Sequence, residues 1–140
     1  GATMAVNQLR YDCDGDAVLA LVTPAGAACH TGERTCFYRE VGGEPNRVFH
    51  EALPALERTL ASRAAERPEG SYTVELLDNP TLVGEKVQEE AEEVVRAARE
   101  ETDERVAEEA ADVLYHLAVL LASRGVPQSA VFEELNRRAG

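Results

Sequence analysis

Four acidic residues, Glu90, Glu93, Glu109 and Asp112, form two pairs at i,i+3 spacing, with 15 residues between the pairs. On a helix, side chains three apart share a face, so each pair converges on one point. If two such helices pack antiparallel, four carboxylates meet across the seam. Left alone, that cluster repels itself. With Mg²⁺ it becomes an oxygen cage for a hard cation that keeps waters for substrate phosphates. Glu89 adjoins the first pair, and Lys86 precedes it by one turn, placed either to neutralise phosphate or to pair with Glu90 as a solvated i,i+4 partner.

The competing reading is a solvated helical face, because residues 83–112 contain twelve acidic and four basic side chains. Two details weaken it. Glu89, Glu90 and Glu93 fall within about 100° of arc, where like charges destabilise an isolated helix. Glu109 and Asp112 also abut the most apolar stretch of the chain, where unpaired carboxylates are costly. A metal removes both costs. Glu92 is expected to face solvent. His116, at i+4 from Asp112, reads as a hydrogen-bonded partner behind the site, with a metal-ligand role as the alternative.

These residues need helices to position them. From Val48 onward the pattern is helical. A first helix over 48–67 carries Phe49, Leu53, Leu56 and Leu60, with Pro54 implying either a start near residue 53 or a kink. A short helix follows at 71–77, capped by Ser71 or Thr73. The acidic helix covers about 82–100, with Val83, Val87, Ala91, Val94, Val95 and Ala98 as its buried stripe. The next, about 102–124, opens on Thr102 with Asp103 and Glu104 in its first turn and then buries Ala110, Val113, Leu114, Leu117, Ala118, Leu120 and Leu121. Gly125 closes it in the C′ position, and a last helix spans about 128–138. The expected fold is mainly α: a bundle of four to five helices over 48–140, a linker over 41–47, and a β strand–turn–strand appendage within 1–40.

Composition narrows the function. The chain has 140 residues, with seven aromatics and no Trp, which suits one domain with an aliphatic core. A net charge of -12 argues against nucleic acid or an anionic membrane as partner, but not against a nucleotide carried with a divalent ion. No apolar run is long enough for a membrane span, and no secretory signal precedes the first strand, so a cytoplasmic protein is the default. Gly1, Ala2 and Thr3 before Met4 read equally as a cloning scar or as native sequence.

The pattern Glu89-Glu90-x-x-Glu93 followed by Glu109-x-x-Asp112 resembles the signature of MazG-type all-α nucleotide pyrophosphohydrolases. Ser71-Tyr72-Thr73, the run Val83–Val87, and the run Glu108–Leu117 sharpen this to a resemblance to the phosphoribosyl-ATP pyrophosphohydrolases of histidine biosynthesis, covering about 48–138. The resemblance implies a MazG-like bundle that hydrolyses phosphoribosyl-ATP to phosphoribosyl-AMP and pyrophosphate. It implies Mg²⁺ on Glu90, Glu93, Glu109 and Asp112, with Glu89 on a second ion or orienting the attacking water. Lys86, Ser71, Tyr72 and Thr73 would contact substrate, and Arg137 and Arg138 would clamp its phosphoribosyl end. Similar enzymes pair their helices into dimers, and the apolar 113–121 stretch exceeds what one small monomer needs to bury, so a homodimer or higher oligomer is expected. Rival readings are an all-α pyrophosphohydrolase for another (d)NTP and a non-catalytic, zinc-dependent dimerisation module.

The front end poses a separate problem. Asp12, Asp14 and Asp16 alternate around Cys13, and Cys29 and Cys36 follow with His30 beside the first. Three thiols and three carboxylates suit Zn²⁺ and Mg²⁺ respectively; three buried free thiols in a hairpin are the plain alternative. Asp14-Gly15 reads as the turn between two strands; if the strand ran on through it, the aspartates would share one face and Cys13 would point the other way. This stretch resembles the C-terminal part of phosphoribosyl-AMP cyclohydrolases, which implies zinc on Cys13, Cys29 and Cys36, partly across a dimer interface. It also implies Mg²⁺ on the aspartates, with His30 as general base or as a plain hydrogen-bonding group. The substantial region that precedes Gln8 in that family is missing, so the chain reads as a bifunctional protein truncated at its front, with cyclohydrolase activity absent or impaired.

Overall fold

The computed structural model describes residues 3–39, 41 and 51–139, and the chain divides into two compact units, 1–49 and 50–140. The predicted linker beyond Val41, and the predicted helical residues Val48 and Phe49, lie outside the described residues.

In the first unit, β1 (Met4–Tyr11) pairs antiparallel with β2 (Val18–Pro24), and a bulge at Asn7 shifts the register between Val6 and Gln8. The Asn7 side chain donates to Thr23 Oγ1 at 2.8 Å beside that bulge. Both strands are exposed nearly throughout: Val6, Leu9, Val18 and Leu19 all stand open. A lone two-stranded ribbon has no second layer to bury its apolar side chains against, and such ribbons are marginal by themselves.

The aspartates are not on a strand. β1 ends at Tyr11 and β2 begins at Val18, so Asp12, Cys13, Asp14 and Asp16 occupy the loop between them. Gly15 takes a left-handed φ of 80°, and Asp12 Oδ1 accepts from the backbone N–H of Gly15 (3.0 Å) and Ala17 (3.1 Å). This side chain-to-backbone turn is the one expected at Asp14-Gly15, and it takes the aspartates off the strand alternative.

The second unit contains α1 (Ala52–Glu66), α2 (Tyr72–Asp78), α3 (Pro80–Glu100), α4 (Asp103–Ser123) and α5 (Gln128–Ala139). Pro54 lies in the first turn of α1, where backbone N–H groups lack partners anyway, so it needs no kink. Ser71 holds the N-cap position of α2 but makes no side-chain cap bond. Asn79 ends α2 and also caps α3, its side chain accepting from Leu82 N at 3.1 Å with Pro80 at N1. Thr102 caps α4, accepting from Arg105 N. At the far end, Gly125 N–H bonds Ala122 O and Val126 N–H bonds Leu121 O, with Gly125 at φ 66°, a Schellman closure with glycine in the C′ position.

The core is Leu60, Leu76, Val83, Ala118 and Val119, with Leu56, Leu77, Leu82, Tyr115 and Leu120 packed on it. α3 and α4, joined by Glu101 and Thr102 alone, make the largest helix contact. The buried stripe of α3 differs from the expected one. Val83 and Ala97 are buried and Val87, Glu90 and Val94 half-buried, whereas Ala91, Val95 and Ala98 are exposed. The true stripe repeats by alternating steps of four and three, the spacing of a two-helix seam. On α4, Leu114 and Leu117 are also exposed, at 48% and 36%.

Candidate metal site on the α3–α4 seam

That seam carries polar residues at core positions. Glu90 occupies the α3 stripe between Val87 and Val94, and Glu109 and His116 are buried on the facing stripe of α4. Pairing runs in opposite directions along the two helices: Glu90 reaches His116, while Glu93 reaches Glu109 nearer the connection. The helices are therefore antiparallel, and the two acidic pairs meet.

Glu90, Glu109 and Asp112 each place a carboxylate oxygen within 4.8 Å of the others. Ligand oxygens about 2.0–2.1 Å from an octahedral Mg²⁺ lie up to about 4.2 Å apart, so a small contraction of this triad fits the ion. The all-oxygen donor set is also that of a hard cation. Glu93 touches Glu109 but stands outside the triad, paired with Arg96 at 3.3 Å. Glu89 is exposed and takes Lys86 Nζ at 2.6 Å, so Lys86 pairs at i,i+3 with Glu89 and not at i,i+4 with Glu90. Its ammonium is held above its usual range, first by the hydrogen bond to Glu89, with Tyr72 and Glu90 adding smaller attractions. Glu92 is exposed and accepts from Gln88.

Glu109 is the most deeply placed carboxylate, at 4% exposure. Burial pushes its carboxyl above the usual range; Arg105 pulls it down, and Glu93 and Asp112 push it up again. Arg105 pairs with Glu109, with Glu108, and with Glu101 at 3.3 Å. The sequence reading passed over Arg105 and Arg96. Their signal was present in the i−4 offset from Glu109 and the i+3 offset from Glu93.

His116 lies behind the triad. Its Nδ1 is 3.0 Å from the backbone oxygen of Asp112 and 3.7 Å from Glu90 Oε1, while Nε2 is buried with no hydrogen-bond partner among the described residues. Tyr115 and Tyr72 meet the ring edge-on at centroid distances of 5.0 Å and 6.4 Å. Tyr72 thus borders the site. Thr73 instead spends its hydroxyl on Tyr115 Oη, 2.9 Å away, tying α2 to α4. Arg137 and Arg138 both pair with Glu134 on α5, and no bond from either to the carboxylates occurs among the described residues.

In the first unit, carboxylate oxygens of Asp12, Asp14 and Asp16 also gather within 4.8 Å, all three residues exposed. The backbone N–H of Ala17 is the largest of several hydrogen bonds that lower the Asp12 carboxyl. Cys13, Cys29 and Cys36 do not form such a group. Cys29, buried, accepts from Thr31 Oγ1 at 3.1 Å, which lowers its thiol, and its interaction with Cys36 raises the latter. Cys13 is exposed, and His30 Nδ1 lies 3.8 Å from Cys29 Sγ.

Comparison with known proteins places both units. Residues 53–139 match the family model described as phosphoribosyl-ATP pyrophosphohydrolase, and residues 1–38 match that of phosphoribosyl-AMP cyclohydrolase. The chain is similar to the histidine biosynthesis bifunctional protein HisIE of Bacillus subtilis, 45% identical over 139 residues, covering 99% of this chain and 66% of that protein. The protein of the same name from Pyrococcus furiosus is 42% identical over 144 residues, covering 99% and 67% respectively. That from Thermus thermophilus is 42% identical over 131 residues, covering 90% and 59%. The chain thus spans about two thirds of the length of these relatives or somewhat less.

Proposed function

The chain belongs to the phosphoribosyl-ATP pyrophosphohydrolase family of histidine biosynthesis, and we propose that its helical unit hydrolyses phosphoribosyl-ATP to phosphoribosyl-AMP and pyrophosphate. The observation that carries this reading is the gathering of Glu90, Glu109 and Asp112 on one seam inside the matched stretch. The family is generally Mg²⁺-dependent. In this chain Glu90, Glu109 and Asp112 would hold the ion, and Glu93 would join them on leaving Arg96. When bound, Mg²⁺ supplies positive charge to the phosphoryl oxygens and a water of lowered pKa.

The chain's own groups do the rest. Glu89, on the exposed edge of the cluster, orients the attacking water and takes its proton as the bridging P–O bond breaks. Lys86 exchanges Glu89 for a phosphate oxygen, and Tyr72 walls the substrate side. His116 holds Glu90 from behind, so its part is positioning. Arg137 and Arg138, both paired with Glu134, would clamp the phosphoribosyl end only on leaving that carboxylate.

Incubation with Mg²⁺ and either phosphoribosyl-ATP or a panel of nucleotides tests the substrate. Pyrophosphate release should be fastest from phosphoribosyl-ATP; faster turnover of dCTP or dUTP would overturn the assignment. Exposed Leu114, Leu117, Phe132 and Leu135 support a homo-oligomer, which light scattering on the purified chain checks. For the front unit, the Cys29–Cys36 pair supports zinc binding only when a further ligand arrives, from Cys13 or a second copy. Zinc titration of wild type against Cys13→Ser decides that point. The setting is the cytoplasm.

A further inference from the structure

Arg105 stands half-exposed in the first turns of α4, its side chain 47% accessible. It holds three carboxylates of very different character: Glu108 at 61% side-chain exposure, Glu101 at 32%, and Glu109 at 5%. The two exposed partners need no arginine, because water solvates them. Glu109 does need one. It is buried, and its carboxylate lies within 4.8 Å of those of Glu90 and Asp112. Arg105 is the cation paired with it.

A divalent ion on Glu90, Glu109 and Asp112 supplies that compensation with twice the charge and at shorter range. The guanidinium then loses most of its hold on Glu109 while keeping Glu101 and Glu108 at the site's edge. It retains five N–H donors in a rigid fork, which matches the oxygens of a phosphate as well as those of a carboxylate. It is therefore anchored beside the metal position with donors to spare.

We propose that Arg105 is an exchangeable cation: it sits on Glu109 when no metal is present and passes to a phosphate oxygen of a pyrophosphate-bearing ligand when a divalent ion takes that carboxylate. This rests on the metal reading above and adds a substrate-binding residue to it. Arg96 on Glu93 offers the same chemistry from α3, at a more exposed carboxylate.

The test is a calorimetric titration of wild type, Arg105→Gln and Arg105→Lys, first with Mg²⁺ alone and then with inorganic pyrophosphate on the Mg²⁺-loaded proteins. With its competitor removed, Arg105→Gln should bind Mg²⁺ about threefold more tightly. It should then bind pyrophosphate roughly tenfold more weakly, the loss of one charge-assisted hydrogen bond. Arg105→Lys, which keeps the charge and lacks the fork, should fall between the two for pyrophosphate. It also carries the test if circular dichroism shows Arg105→Gln poorly folded. Weaker Mg²⁺ binding by Arg105→Gln would make Arg105 a fixed support of Glu109 and overturn the exchange. Unchanged pyrophosphate binding would overturn the phosphate role. Wild type that binds no Mg²⁺ would sink the metal reading itself, an outcome separate from either of these.

Discussion

Two groups of three carboxylates are assembled in this chain by opposite means. Asp12, Asp14 and Asp16 are brought together by the six-residue loop 12–17, held by bonds to Asp12 from the backbone N–H of Gly15 and Ala17, and are exposed. Glu90, Glu109 and Asp112 come from two helices and are held by a packed seam between buried Val83 and Ala97 on one side and Ala118 and Val119 on the other. A loop gathers charge cheaply because water screens it. A seam gathers charge against a desolvation cost and so needs compensation, which Arg105 supplies to Glu109. The contrast teaches that clustering alone says little. What favours the second group as the proposed site is that it occupies positions where apolar residues belong.

The sharpest attack on that contrast is on the ligands. Asp112→Ala should lower pyrophosphate release from phosphoribosyl-ATP on the order of a thousandfold, about 4 kcal/mol of transition-state stabilisation. Asp14→Ala should leave the same rate unchanged. Equal effects, measured side by side, would erase the distinction. Next comes packing. Leu76→Ala, at a fully buried position, should cost about 2–5 kcal/mol in denaturant unfolding, whereas Leu9→Ala, 64% exposed, should stay within about 0.5 kcal/mol.

A smaller effect concerns the seam without metal. Burial holds the Glu109 carboxyl above its usual range, so the folded chain keeps that proton over an interval where the unfolded chain has lost it. The stabilisation this brings is full below the ordinary carboxylate pKa and is lost as pH rises through the raised value. Glu109→Gln should therefore melt higher than wild type at neutral pH in a chelator, and gain less from added Mg²⁺. Scanning calorimetry in both buffers checks the crossover.

The smallest effect lies in the loop. Asp12 has a lowered carboxyl, whose stabilisation is present above the ordinary pKa and is lost as pH falls through the lowered one. Asp12→Asn should speed amide exchange at Gly15 and Ala17 without moving the melting of the helical unit.

Much of the helical unit was legible because its signals are local and redundant. Thr102 with Asp103 and Glu104, Gly125 at C′, and the i,i+3 acidic pairs each fix a boundary or a face by themselves. What was misread depends on phase. Choosing Ala91, Val95 and Ala98 as the buried stripe of α3 followed hydrophobicity, whereas the real stripe runs through Glu90 because the site sits on it. An apolar rule cannot find a seam whose function requires breaking that rule. The turn between the strands was legible in Asp14-Gly15, whereas the Asp12 bonds that fix it are a side-chain effect that strand alternation does not reveal. Arg105 was legible in spacing but buried among twelve acidic neighbours.

The tyrosine pair around His116 has a practical side. The chain contains no tryptophan and four tyrosines, two in each unit, so Tyr72 and Tyr115 supply all the tyrosine emission of the helical unit. Both rings lie against the imidazole that touches Glu90, one of them exposed and the other in the packed interior. The molecule thus carries its own optical gauge of the carboxylate site. With Tyr11 and Tyr38 replaced by Phe, a change in tyrosine emission on adding Mg²⁺ is the expected outcome if the ion takes Glu90, and fluorescence titration checks it.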